Sequence, residues 1–310
     1  MLDPRKLRLL RELAHRGTIA AVAEALTFTP SAVSQQLAAL EREAGVPLLE
    51  RTGRTVTLTP AGRLLVEHAQ AVLEELDRAS AALAATREGP TGPLRIGAFP
   101  TVTRTLVPAA LAELPPGLEP MVTEIDPADV SAALRAGELD VALIHEYDFV
   151  PSVVDAGVEC APLFSEPIYL TTRAARTAPA DPAAAGSLAD VRDEPWILSK
   201  PGTLCHTMAV RACHAAGFEP RVRHYIDDFD TVLTFAAAGQ GVALVPRLAA
   251  PAPPAGVRLT PLPISRRTLI AFRRGYGGHP AISAFQRAMA ARIASTTFPL
   301  GAPCSSIGRL

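Results

Sequence analysis

The first sixty residues constrain this chain most, because three short helical patterns and a hairpin follow one another within them. Leucines spaced about 3.6 residues apart predict a first helix over roughly 4–15, and a second helix follows over 18–26. Thr29 and Pro30 stand in the favoured order of N-cap and first helical position, and Gly45 ends the third helix. The close spacing predicts a small helical domain with its own core.

The third helix carries a polar face that suits contact with DNA. Its apolar stripe runs along the other side: Ala32, Val33, Leu37 and Leu40. The polar side chains lie in the first turns, where a helix in the major groove reads base edges, and Gln35 can bind adenine through two hydrogen bonds. The short turn at 27–29 sets two helices at the steep angle of a helix-turn-helix. The predicted DNA-contacting residues here are Thr29, Pro30, Ser31, Ser34 and Gln35.

A small hairpin, or wing, is predicted after the third helix. Residues 51–58 contain two short strand patterns around Gly53, with Arg51 and Arg54 beside the tip. Two guanidinium groups on a loop suit phosphate contact or entry into a narrow minor groove. A purely structural bundle is the alternative, because the segment has little excess positive charge to attract DNA. Residues 1–58 hold eight Lys/Arg and six Asp/Glu.

These residues resemble the N-terminal winged helix-turn-helix of LysR-type transcriptional regulators. The likeness lies in an ordered set of short phrases: Gly17-Thr18, Ala23-Glu24-Ala25-Leu26, Ser31-Ala32-Val33-Ser34-Gln35-Gln36-Leu37, Gly45-Val46-Pro47-Leu48-Leu49-Glu50-Arg51 and Leu58-Thr59-Pro60-Ala61-Gly62. Ser31 departs from the family pattern, which often has proline there, so the resemblance does not carry over an operator sequence. It implies a DNA-binding regulator and not an enzyme.

The composition of the chain indicates which kinds of partner not to expect. The net charge of −1 gives no global field that attracts nucleic acid or a membrane. No apolar run reaches the roughly 18 residues of a membrane span, and the N-terminus lacks a signal-peptide core, so we expect a cytoplasmic protein without a membrane partner. Since no CxxC pair occurs, we expect no structural zinc and no cofactor. The four cysteines are Cys160, Cys205, Cys213 and Cys304.

Residues 60–87 predict one long helix with a coiled-coil seam. Its apolar residues alternate spacings of four and three: Leu65, Ala69, Val72, Leu76, Ala79, Leu83 and Thr86. An amphipathic helix packed on its own domain is the alternative. In the resembled family this is the linker helix, which pairs two subunits. We therefore expect a homodimer, further assembled into a homotetramer, that binds a two-fold or pseudo-two-fold site on double-stranded DNA.

Beyond a Gly/Pro-rich linker at 89–93, strand and helix patterns alternate, which predicts a parallel α/β sheet. The sequences of segments 228–231 and 236–246 resemble the LysR effector domain, which is similar to periplasmic binding proteins. The predicted fold class is therefore multi-domain α/β. The resemblance implies a winged helix-turn-helix at 1–59, a linker helix at 60–90, an effector-binding domain at 91–296 (subdomain I at 91–162 and 267–296, subdomain II at 163–266) and a flexible tail at 297–310.

A small-molecule effector is expected in the cleft between the two subdomains. Ligands of open α/β sheets bind beyond the carboxyl ends of strands, and segments 99–103 and 199–203 follow two such strands. Helix N-termini and threonine hydroxyls there suit a small organic anion, or an amino acid if Glu146 receives its amine. Plain helix capping is the alternative for the threonines. The candidate effector-binding residues are Pro100, Thr101, Thr103, His145, Glu146, Pro201, Gly202, Thr203 and Phe229.

Cys205 and Cys213 offer another mode of control, redox sensing, as in the peroxide-responsive members of the resembled family. On one helix, eight positions apart, their backbones lie roughly 12 Å from each other, whereas a disulfide needs less than about 7 Å. The helix would therefore have to unwind. Cys213 stands near one cysteine of those members, but Leu204 stands where they keep the other. The histidines beside the two cysteines give no compact metal site.

Two functions of other classes compete with regulation. An α/β enzyme with an accessory helical domain is one, but the sequence contains no G-x-S-x-G elbow, P-loop or Rossmann glycine motif. A solute-binding module is the other, and the winged helix and the missing secretion signal oppose it. None of these motifs identifies the effector, the operator sequence, or whether the protein activates or represses transcription.

Overall fold

The N-terminal helices and hairpin form as the sequence predicts. The computed structural model describes residues 1–52, 55–150, 155, 157–174 and 187–295. The first elements are α1 (Pro4–Arg16), α2 (Ile19–Ala25), α3 (Pro30–Ala44), β1 (Leu49–Thr52) and β2 (Thr55–Leu58). Each helix begins after a side chain that accepts a backbone N–H, namely Asp3, Thr18 and Thr29. One apolar core, which includes Leu10 and Leu40, joins the three helices.

The long helix α4 (Pro60–Ala85) divides its apolar stripe between two environments. Ala69 is fully buried and Leu65 packs on the core of the N-terminal domain, so the first half of the predicted seam contacts its own chain. Val72, Leu76 and Leu83 are exposed, Leu76 to 47%. Only the second half of the seam is therefore available to a partner helix.

The rest of the chain builds two sheets and six further α-helices within the described residues. The strands are β3 (Gly92–Ala98), β4 (Leu118–Glu124), β5 (Val141–Tyr147), β6 (Val158–Arg173), β7 (Pro195–Leu198), β8 (Arg221–Tyr225), β9 (Ala243–Pro246) and β10 (Val257–Arg273). The helices are α5 (Pro100–Thr105), α6 (Val107–Ala112), α7 (Pro127–Ala136), α8 (Leu204–Ala215), α9 (Phe229–Ala237) and α10 (Pro280–Ala294).

The main sheet is mixed, so the prediction of a parallel sheet was wrong for half of it. Its order is β4–β3–β5–β10–β6–β9. The first three strands are parallel, whereas β10 runs antiparallel to both β5 and β6, and β6 runs antiparallel to β9. The two strands β6 and β10 have 16 and 17 residues, so each is long enough to extend from one α/β unit into the other. One strand carries the chain out of the first α/β unit and the other carries it back, so the two run in opposite directions.

Separate apolar cores mark two α/β units. One core includes Ile96, Phe99 and Phe285, and another surrounds Trp196, which lies on β7 and is fully buried. The strands β7 and β8 pair parallel and join β9 through a bridge between Trp196 and Val242. The predicted subdomain boundaries stay a prediction. Among the described helices, none combines the length and the apolar character that crossing a bilayer requires.

Helix α1 also contacts the C-terminal end of α7. The Nη2 atoms of Arg8 and Arg11 donate to the backbone carbonyl of Arg135, at 2.9 and 3.2 Å. Carbonyls at a helix C-terminus have no partner inside the helix, so these guanidinium groups cap it. Glu12 is fully buried beside them and accepts hydrogen bonds from Arg11 and Arg16. The N-terminal domain is thereby joined to the first α/β unit by buried polar contacts.

Candidate functional site

Helix α3 presents its polar residues on an accessible side. Ser31 and Gln35 are exposed and Ser34 is half-buried, whereas Val33 and Leu37 on the other side are buried. The hydroxyl of Thr29 accepts the N–H of Ala32 at 3.2 Å, and Pro30 opens the first turn. The N-terminal end of α3 is therefore fixed by its cap, and the side chains that follow it are open to a macromolecular partner.

The wing forms as an antiparallel hairpin. Strands β1 and β2 pair in register from Leu49 opposite Leu58 to Thr52 opposite Thr55. Gly53 and Arg54 lie outside the described residues, as does the side chain of Arg51. The phosphate contact of the two arginines therefore stays a prediction.

A cavity of about 660 Å³ lies between the two α/β units, beyond the carboxyl ends of their strands. Five of the predicted effector residues line it: Pro100, Thr101, His145, Thr203 and Phe229. Thr203 caps α8 by accepting the N–H of His206 at 3.1 Å. Apolar contact surface comes from Phe99, Ile125 and Leu204. The arrangement suits a ligand with a short carbon skeleton and polar ends.

Two polar side chains of the cavity are buried without a hydrogen-bond partner among the described residues. Thr101 is 6% exposed and His145 is 8% exposed, and neither the hydroxyl of the first nor the two ring nitrogens of the second are bonded. Burial lowers the pKa of His145 well below its ordinary value, and the charge of Arg266 lowers it further. The imidazole is therefore neutral near pH 7. Buried polar groups of this kind normally find a partner, and a bound ligand is a suitable one.

A buried ion pair supports the floor of the cavity. The guanidinium of Arg266 lies 2.7 Å from Glu166, whose second oxygen accepts the N–H of Leu248 at 2.6 Å. Burial disfavours the charge, but Glu166 holds the pKa of Arg266 above its ordinary value. The guanidinium also lies over the ring of Phe99, at 5.0 Å. Arg266 is thus charged, and its charge is matched within the protein.

An ion pair crosses the cavity between helices of the two units. Arg104 on α5 pairs with Asp230 on α9. Arg104 lines the cavity, together with carboxylates at the carboxyl ends of two strands: Glu124 at the end of β4 and Asp126 after it, and Asp227 and Asp228 after β8. The Arg104–Asp230 pair therefore links the two sides that a bound ligand would contact.

Glu146 does not line the cavity, so the suggestion that it receives an amine there was wrong. Successive residues of a strand point to opposite faces, and on β5 it is His145 that faces the cavity. Glu146 lies 3.7 Å from Arg267 on the neighbouring strand.

Three other candidates also lie outside the lining. The hydroxyl of Thr103 donates to the carbonyl of Phe99 at 3.1 Å, which is a bond within its own helix. Pro201 and Gly202 form an exposed turn before α8, in which Gly202 has φ of 95°. These residues shape the entry to their helices and leave ligand contact to their neighbours.

Sequence reasoning missed both arginines and all four acidic residues of the cavity lining. The carboxylates could have been found, because the rule that ligands bind beyond strand ends applies to the residues after β4 and β8 as well. Arg266 lies inside a strand, and no spacing or motif distinguishes it from an exposed arginine.

The surroundings of the two cysteines of α8 disfavour the thiolate form. The thiol of Cys205 lines the cavity 3.2 Å from the hydroxyl of Tyr147, and burial raises its pKa. Cys213 is fully buried in the second core, and burial, with a contribution from Glu219, raises its pKa to about 12. Thiols with raised pKa are poor nucleophiles, because the reactive form is the thiolate.

Two protein families match this chain, and together the matches cover nearly all of it. Residues 4–63 match the bacterial regulatory helix-turn-helix protein, lysR family, and residues 87–294 match the LysR substrate binding domain.

Individual relatives align over most of both chains. A probable hydrogen peroxide-inducible genes activator of Mycobacterium avium is 34% identical over 287 residues, covering 87% of this chain and 88% of that protein. The transcriptional dual regulator GltC of Bacillus subtilis is 30% identical over 249 residues, covering 79% and 81%. The structure of a full-length OxyR variant from Pseudomonas aeruginosa superposes with a TM-score of 0.62 at 25% identity, covering 93% of this chain and 95% of that one.

Proposed function

The chain belongs to the LysR family of bacterial transcriptional regulators, and we propose that it binds a two-fold DNA site as a homo-oligomer controlled by a small molecule in the cavity. The accessible polar face of α3 carries this proposal. Ser31 and Gln35 project from a capped helix on a compact bundle, which is the arrangement that enters a major groove. Arg51 and Arg54 of the wing supply phosphate contacts in the same binding mode.

The exposed half of the α4 seam supports the oligomer. Val72, Leu76 and Leu83 form an apolar row that nothing in the described chain covers. Two such rows, packed against each other, hold two copies of α3 at a fixed separation, and a two-fold DNA site follows from that symmetry. Pairing of two such dimers gives the homotetramer.

Effector control follows from the position of the cavity. Residues from both α/β units line it, so a ligand that contacts both favours one arrangement of the two units over others. The contact of α1 with the carbonyl of Arg135 joins the first unit to the DNA-binding domain. A change between the units can therefore reach the spacing of the two recognition helices, which is the coupling that regulation requires.

A competition binding assay tests the DNA-binding proposal. A labelled duplex from the region upstream of the gene is bound and then competed with random duplex of equal length. We expect Gln35→Ala to lower the ratio of the two affinities by about 5- to 150-fold, because a lost bidentate base contact is worth roughly 1–3 kcal/mol. Gln240→Ala, an exposed amide remote from α3, is the matched control. Equal affinity of the unaltered protein for both duplexes counts against the proposal.

Peroxide control through Cys205 and Cys213 is the second candidate, favoured by the names of the Mycobacterium and Pseudomonas relatives. The raised pKa of both thiols and the presence of Leu204 at the position of the other sensor cysteine argue against it. Titration of DNA affinity against hydrogen peroxide separates the two candidates. We expect the DNA affinity not to change at hydrogen peroxide concentrations at which mass spectrometry shows Cys205 unmodified. A change in DNA affinity that disappears in Cys205→Ser would favour redox control over small-molecule control.

A further inference from the structure

Acidic residues outnumber basic residues in the lining of the cavity. Six charged residues line it: Arg104, Glu124, Asp126, Asp227, Asp228 and Arg266. Each guanidinium already faces a carboxylate of the protein, Asp230 for Arg104 and Glu166 for Arg266. Each positive charge of the lining is therefore matched by a carboxylate, although the Nη2 atom of Arg266 makes no hydrogen bond within the described residues.

Three carboxylates of the lining have no lysine or arginine ion-pair partner in the described part of the chain. Asp227 is matched by Lys200 at 3.2 Å, but Glu124, Asp126 and Asp228 are not matched in this way. Asp126 accepts the N–H of Ala128 at 2.9 Å, which is a neutral donor.

Asp228 is ionised despite this shortage of cations. It accepts the N–H and the hydroxyl of Thr231, at 2.8 and 2.6 Å. These hydrogen bonds, with a smaller contribution from Arg104, lower the pKa of Asp228. Carboxylates that come from both units thus face one cavity, and like charges in a partly enclosed space repel each other.

The buried end of the cavity is polar and carries no net charge, because Glu166 matches the charge of Arg266 there. Thr101 and His145 are each more than nine-tenths buried, line the cavity, and have side-chain polar atoms without a partner among the described residues. A hydroxyl and a neutral imidazole both donate and accept, so they can bind either a carboxylate or a neutral polar group. The site therefore has a neutral polar end and an acidic, exposed end.

A metal ion does not fit the acidic end. Within the described residues, no three His, Cys, Asp or Glu side chains are arranged so that they could hold one. An organic ammonium makes a weaker demand, because one or two carboxylates within hydrogen-bond reach, with the charge of a third nearby, are enough to hold it. Charge-assisted hydrogen bonds of this kind are about twice as strong as neutral ones.

We propose that the effector of this regulator carries an ammonium group, which Glu124, Asp126 and Asp228 hold at the exposed end, while Thr101 and His145 bind its other polar end. The proposal rests on the proposed function and specifies the ligand of the same cavity. An effector that is only an anion, as the sequence suggested, would meet repulsion from three unmatched carboxylates. A bound ammonium that touches carboxylates of both units favours the arrangement in which they are close.

Three five-carbon probes that differ only in their end groups test the proposal. Glutarate has two carboxylates, delta-aminovalerate has one carboxylate and one ammonium, and cadaverine has two ammonium groups. Isothermal titration of the full chain with each probe at matched ionic strength measures the preference directly. We expect binding of at least one of the two amines and none of glutarate. Tighter binding of glutarate overturns the proposal, and so does the absence of heat with all three at millimolar concentrations.

Variants locate the site. Asp126→Asn and Asp228→Asn retain side chains that cap α7 and α9, and each should weaken amine binding about tenfold or more, the amount that a hydrogen bond to a charged group contributes. Asp129→Asn, on the exposed side of α7 outside the lining, is the matched control and should bind as the unaltered protein does. Equal losses in all three variants contradict the assignment. DNA affinity without ligand is measured in parallel, so a failure of the ligand class is distinct from a failure of the regulator proposal.

Discussion

At the scale of single residues, His145 shows how strand geometry selects a functional side chain. The sequence singled out His145 and Glu146 together, but only the first faces the cavity, because neighbouring residues of β5 point to opposite sides of the sheet. Burial then sets its chemistry, since a lowered pKa keeps the ring neutral. His145 therefore serves recognition as a hydrogen-bonding group and not as a cation.

The lowered pKa of His145 predicts a pH dependence of stability. The unfolded chain binds a proton at this residue below about pH 6.5, whereas the folded protein does so only at lower pH. The free energy of unfolding should therefore fall as the pH drops below about 6.5, by at most ~1.4 kcal/mol per pH unit from this group. Urea titrations at several pH values should show a smaller fall for His145→Gln than for the unaltered protein. His68→Gln, on the exposed side of α4, should leave the dependence unchanged.

At the scale of secondary-structure elements, local patterns predicted more than long-range arrangement. The cap at Thr29 and the periodicity of the N-terminal helices gave their positions, because both signals act within about one turn of helix. The direction of β10 was not predictable in this way, since it depends on where the chain returns between the two units. The same limit hid Arg266, whose partner Glu166 is 100 positions away in sequence.

The exposed half of the α4 seam should mediate assembly. Leu76→Glu places a charge in the exposed half of the seam and should convert the homo-oligomer to monomer with little change in the stability of each domain, because Leu76 makes no core contact within its own chain. Sedimentation equilibrium measures the mass. Ala71→Glu, which adds the same charge on another side of the exposed helix, is the control and should keep the mass of the unaltered protein. An unchanged mass for Leu76→Glu would assign assembly to another surface.

At the scale of the whole molecule, buried polar contacts join the DNA-binding domain to the first α/β unit. Glu12 is fully buried, accepts hydrogen bonds from Arg11 and Arg16, and lies 3.7 Å from Arg135. One carboxylate thus offsets several guanidinium groups at the junction. The two parts should therefore unfold together unless this carboxylate is removed.

Glu12→Gln should separate them. The change leaves buried guanidinium groups without their carboxylate, and losing one partner of a buried ion pair costs about 3–5 kcal/mol. We expect urea unfolding to begin earlier and to show two transitions in place of one. Glu24→Gln, an exposed carboxylate on α2, should unfold as the unaltered protein does. A single unshifted transition for Glu12→Gln would show that the junction contributes little to cohesion.

The central claim is that α3 reads DNA while the α4 helices of two subunits set the separation of two such helices. Footprinting on the region upstream of the gene tests it most directly. The account predicts two protected half-sites related by a two-fold axis and separated by whole helical turns of about 10 base pairs, with protection lost in Gln35→Ala. Protection of a single half-site, or a footprint that Gln35→Ala leaves intact, would contradict it.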